Sequence, residues 1–195
     1  MRNVQLLATP WWVNLAILVP IFAYATWRKG KLSLTWPQLI FAGLFAIAFG
    51  FNEAAVVVYL RAAVGLLPGY GGSLSDVASL ASSTYQQAQI LSSLPKSLGV
   101  VEIAREAATM FMLLGVALAV AKGRRERWAL FIWTFGLWDI FYYVGLWLTV
   151  RWPPSFTSQD VLFLIPIPWI SQVWFPILVS VFGIVAVFLA KKKEK

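Results

Sequence analysis

Five apolar stretches, each close to the length of a membrane crossing, constrain this chain more than any other feature. A helix rises about 1.5 Å per residue, so roughly 20 apolar residues cover a hydrocarbon core of about 30 Å. The stretches run from about Trp11 to Trp27, Pro37 to Leu60, Leu98 to Ala121, Trp128 to Val150 and Trp169 to Ala190. Pro37 suits the first turn of a helix. No alternating pattern suggests a barrel. Only 12% of residues are charged, about half the soluble norm of ~25%, so lipid must be part of the solvent. The sequence therefore predicts an all-α integral membrane protein. It is a single domain over residues 1–195, a bundle of five transmembrane helices.

Charge order predicts the orientation. Arg28, Lys29 and Lys31 follow the first stretch. Lys122, Arg124, Arg125 and Arg127 separate the third from the fourth, and Lys191, Lys192, Lys193 and Lys195 close the chain. Five spans put these eleven bases on one side and leave Arg2, Arg61, Lys96 and Arg151 on the other. Such a bias places the N-terminus outside and the C-terminus in the cytoplasm. The expected location is the cell's inner (plasma) membrane, crossed several times. Ala23-Tyr24-Ala25 resembles a signal-peptide cleavage site, but the bases follow the apolar run instead of preceding it, as in a retained anchor. Trp11, Trp12, Trp147, Trp152 and Trp169 are expected near the outer interface, and Trp27, Trp36 and Trp128 near the inner one.

Residue types narrow the chemistry. Cysteine and histidine are both absent, which excludes disulfides, Cys-ligated metal, His-ligated haem and histidine bases. The net charge of +8 sits at span ends and not in a basic patch interleaved with aromatics, so nucleic acid is not an expected partner. Membrane lipids are expected partners, and other membrane subunits are a further candidate.

Two outer segments exceed simple turns. Residues 62–97 hold Pro68-Gly69-Tyr70-Gly71-Gly72, and Asp76 to Leu94 is expected to form one interfacial helix capped by Ser75 or Asp76. Residues 151–168 hold an apolar run between Asp160 and Pro168 that is too short to span, so a re-entrant or interfacial element is expected. Either segment is placed to form a lid.

Five ionisable residues lie inside spans: Glu53, Glu102, Arg105, Glu106 and Asp139. Glu53 is eight residues from Arg61, and Glu102 and Glu106 are four and eight residues inside the outer end of span three. Asp139 lies near the middle of span four, with Tyr142 and Tyr143 further out. These groups should share the outer half of the membrane. Glu102, Arg105, Glu106 and Thr109 fall on one helix face, as do Asp139 and Tyr143. Glu53 flanks a row of small residues (Ala42, Ala46, Gly50 and Ala54) that should pack on another helix, so it should face protein. An unpaired charge at the membrane centre costs roughly 2.5–3.5 kcal/mol, and four would cost on the order of 10 kcal/mol. The carboxylates must therefore be paired, protonated, hydrated or cation-bound.

Three functions follow from this constellation. The first is a small membrane-embedded enzyme acting on a lipid-like substrate by acid–base or metal-assisted chemistry. Glu102, Glu106, Asp139, Tyr142 and Tyr143 are its candidate catalytic groups, and Arg105 and Asn52 its substrate-binding groups. Glu53, Glu102, Glu106 and Asp139 are candidate ligands for a hard divalent cation, Mg²⁺ or Ca²⁺. The second is a non-catalytic subunit of a larger membrane complex. The third is a proton or cation transporter, disfavoured by the apolar inner halves of the spans and the lack of an inverted repeat. The alternative to all three is an Arg–carboxylate network that only ties helices together.

Overall fold

The computed structural model describes residues 7–63 and 96–192. They are mostly helical. A 3-10 segment, Trp11–Ile17, runs directly into α1 (Leu18–Trp27). Helix α2 is Trp36–Ala63, α3 is Lys96–Val120 and α4 is Arg124–Val150. A hairpin of β1 (Gln159–Phe163) and β2 (Trp169–Gln172) precedes α5 (Trp174–Ala190). Helices α2, α3 and α4 are long and apolar enough to cross a membrane. The 3-10/α1 unit and α5 are shorter apolar helices, so the described helices fit the expected five. The expected interfacial helix, with its Ser75 or Asp76 cap, lies outside the described residues.

Helix α4 is the axis of the bundle. It packs against α2, α3 and α5, and 56% of its span is buried, against 17% for α3. Close approach of α2 depends on the expected row of small residues: Ala42, Ala46, Gly50 and Ala54 are all buried. Gly50 lies directly on the α4 backbone, where a Cβ would meet the Trp138 carbonyl oxygen at 2.5 Å and the Tyr142 nitrogen at 3.0 Å. Gly136 plays the same part toward α5, where a Cβ would lie 2.9 Å from the Ser180 carbonyl oxygen. Small residues let helix backbones meet, and that contact is what holds helices together where lipid removes the hydrophobic drive.

The basic segments gather at one end of the bundle. Arg125 donates to the carbonyls of Thr26 and Gly30, and Lys31 donates to that of Leu189 at 2.9 Å. Leu32 bridges to Lys191, and Gln38 donates to the Val120 carbonyl at 2.8 Å. Beneath them lies an apolar core that includes Trp27, Leu39, Ala117, Leu130 and Val187.

The opposite end carries the hairpin. Its strands pair antiparallel, Gln159 opposite Gln172 and Asp160 opposite Ser171. Thr9 pairs with Ile170, which ties the N-terminal segment to β2. A second core cluster, including Val58, Leu146, Val150, Trp152 and Val173, supports this end. Helix α4 stops at Arg151, whose left-handed backbone (φ 53°) turns the chain toward the hairpin.

Several expectations need correction. Residues 169–172, assigned to the fifth span, are a strand, and the helix begins at Trp174. Residues 151–168, expected to form a re-entrant or interfacial element, contain β1 and the turn of the hairpin. A strand there meets its backbone needs through its partner, which an apolar run too short to span cannot reveal on its own. Trp27 and Trp152 are core residues at 2% and 0% exposure, whereas Trp11, Trp36, Trp128 and Trp147 are exposed.

Candidate functional site

Helices α2, α3 and α4 enclose, with the hairpin and the start of α5, a cavity of ≈ 180 Å³. Its polar wall begins with Glu53, which the small-residue row turns inward; the residue is 7% exposed. Facing it on α3 are Glu102, Arg105, Glu106 and Thr109, all on the cavity wall, as their spacing predicts. Arg105 forms ion pairs with Glu53 and with Glu102. Its Nε donates to Glu102 Oε2 at 2.9 Å, and the Thr109 hydroxyl donates to Glu53 Oε2 at 3.2 Å. One guanidinium thus joins acids of two helices.

Helix α4 supplies the next part of the wall with Asp139, Tyr142 and Tyr143. Asp139 is buried and accepts a hydrogen bond from the Ser180 hydroxyl of α5 at 2.8 Å. Tyr143, also buried, donates its hydroxyl hydrogen to Asp160 Oδ2 at 2.9 Å. The hairpin closes the cavity from above. Beyond the Asp160 contact, the Leu164 amide donates to Glu106 Oε2 at 2.8 Å. Two carboxylates, one on the hairpin and one on α3, therefore latch the hairpin to the helices.

The rest of the wall, among the described residues, is apolar. Phe135 and Trp138 of α4 meet Phe163 and Trp169 of the hairpin, with Phe163–Trp169 ring centroids 5.4 Å apart. Val13, Ala16 and Val179 complete this side. The cavity is accordingly amphipathic, with charged groups from α2, α3, α4 and the hairpin and aromatic rings from α4 and the hairpin.

Of the nine residues singled out by sequence (Glu53, Glu102, Arg105, Glu106, Thr109, Asp139, Tyr142, Tyr143 and Asn52), eight line this cavity, but two assignments change. Asn52 is exposed and does not line it, because it falls on the face of α2 opposite the packed row. The divalent-cation set does not fit either. Among the described residues no three acidic side chains are grouped to hold a metal. Glu53 and Glu102 both turn toward Arg105, whose guanidinium takes the central position, while Asp139 turns toward Ser180. The acids ring the wall instead of converging.

Sequence reasoning missed Asp160, Phe163 and Trp169, which reach the cavity only through strand pairing. The available signal was Asp160 at the head of a Val/Leu/Phe/Ile run broken by Pro166 and Pro168, a strand-and-turn pattern. Comparison with protein-family models, curated proteins and solved structures gives no match.

Proposed function

We propose that this chain is a multi-pass plasma-membrane protein that binds a lipid-like amphiphile in its intramembrane cavity and acts on it by acid–base chemistry. The observation that carries this reading is the cavity itself. One space is lined both by carboxylates, an arginine and tyrosines and by apolar aromatic rings. An amphiphile places a polar head against the first and its apolar part against the second. Glu106 and Asp139 are the acid–base pair in this reading, each held by a neutral donor that fixes its orientation. Arg105 positions the acids of α2 and α3, and Tyr142 supplies a further hydroxyl on the same wall. The hairpin end is the outer one, because the basic segments gather at the other.

A transporter would need a polar route onward, but the core toward the basic end is aliphatic and aromatic. A subunit role draws on the exposed apolar side chains of α3, such as Val100, Val101 and Phe111, and lipid covers these equally well.

Native mass spectrometry of the chain extracted into nanodiscs tests the proposal. Wild type should retain a small amphiphile, and Val57→Trp, which fills the cavity from α2, should lose it. Whatever amphiphile Glu106→Gln and Asp139→Asn still hold should be unconverted. Equal retention by wild type and Val57→Trp would remove the cavity from the account.

A further inference from the structure

The charge around the cavity narrows the class of headgroup. Among the described residues, five carboxylates line it (Glu53, Glu102, Glu106, Asp139 and Asp160) against the single guanidinium of Arg105. Arg105 is engaged by Glu53 and Glu102. The hydrogen bonds to Glu106 and Asp139 come from a backbone amide and a hydroxyl, neither of which brings positive charge. A buried carboxylate is costly unless a cation or several donors compensate it.

The other wall adds a second attraction. Phe135, Trp138, Phe163 and Trp169 form a continuous ring contact, with Phe135–Phe163 at 6.5 Å and Trp138–Phe163 at 6.4 Å. Aromatic faces attract cations, and most strongly where water is excluded. A third observation is independent of charge. Trp138 is 6% exposed and lines the cavity, yet its indole N–H has no hydrogen-bond partner among the described residues. A buried donor left unmatched is unfavourable, so an acceptor oxygen on a bound molecule would complete it.

Size sets the last limit. A cavity of about 150 Å³ admits benzene. At ≈ 180 Å³, this one has room for a headgroup and the first few carbons of a chain. Building on the amphiphile-binding reading above, we infer that the preferred ligand is a cationic amphiphile, an ammonium nitrogen with a neighbouring oxygen acceptor on an alkyl chain.

Isothermal titration of the full chain in dodecyl maltoside, blanked against empty micelles, tests this with three probes of matched tail. They are 2-hexyloxyethyl-trimethylammonium, the neutral 2-hexyloxyethanol and the anionic hexyl phosphate. The cation should bind one saturable site at least tenfold more tightly than either other probe. Asp139→Asn and Glu106→Gln should each weaken the cation by about tenfold. If the alcohol or the phosphate binds as tightly as the cation, the ammonium inference is overturned while amphiphile binding stands. Absence of binding by all three overturns both. Should the variants fail to fold, the three-probe comparison on wild type decides alone.

Discussion

Replacing Gly50 with alanine tests whether α2 and α4 meet backbone to backbone. The added Cβ would lie 2.5 Å from the Trp138 carbonyl oxygen, whereas ordinary contact begins at 3.4 Å. The obstacle is main chain within a helix, which cannot rotate aside, so the helices must separate locally by up to about 0.9 Å. Overpacking of this kind costs typically about 1–3 kcal/mol. For a chain of this size each kcal/mol lowers the midpoint by about 2–4 °C, so the melt should fall by about 2–12 °C. Gly115→Ala is the control, because nothing lies within 4 Å of its Cβ position. It gains helix propensity of about 0.5–1 kcal/mol and should leave the midpoint unchanged or higher. Thermal melts followed by tryptophan fluorescence in dodecyl maltoside measure both. A Gly50→Ala midpoint equal to wild type, or a Gly115→Ala loss as large, would refute the packing argument.

Further outcomes follow from the same geometry. Tyr143→Phe removes the buried hydroxyl bound to Asp160 and should cost about 1–3 kcal/mol, seen as a lower melting midpoint. Ser180→Ala takes the hydroxyl donor from Asp139 and should destabilise by a similar amount, whereas Ser180→Thr, which keeps the donor, should lose less. Reporter fusions should show a fluorescent protein folding at the C-terminus and alkaline phosphatase active at the N-terminus, and the reverse pattern would overturn the orientation.

Much of the helical part was legible in the sequence because a long apolar run favours a backbone that satisfies its own hydrogen bonds. The apolar runs located helices α2, α3 and α4 to within about four residues at each end, and helical spacing alone put Glu102, Arg105, Glu106 and Thr109 on one wall. The row from Ala42 to Ala54 correctly turned Glu53 inward. The hairpin was not legible, because pairing of Asp160 with Ser171 depends on a partner eleven residues away and not on local periodicity. Reading Trp169 as a helix start followed from the same gap. Trp27 and Trp152 look like belt residues by position, and only the packed bundle shows them to be core. The metal expectation failed for a related reason. Spacing can bring acids to one depth, but only side-chain direction decides that Arg105, and no shared ion position, lies between Glu53 and Glu102.

A double-mutant cycle on Glu53 and Arg105 bears most directly on the idea that α2 and α3 join their charges across one buried space. Unfolding free energies of Glu53→Gln, Arg105→Met and the pair would be compared with wild type in bicelles. Contacting residues couple by about 0.5–3 kcal/mol, and a largely desolvated ion pair belongs in the upper part of that range. We expect the double variant to be more stable than the two single losses predict by at least about 1 kcal/mol. Additivity within about 0.3 kcal/mol would mean that the two side chains never meet, and the site would have no basis.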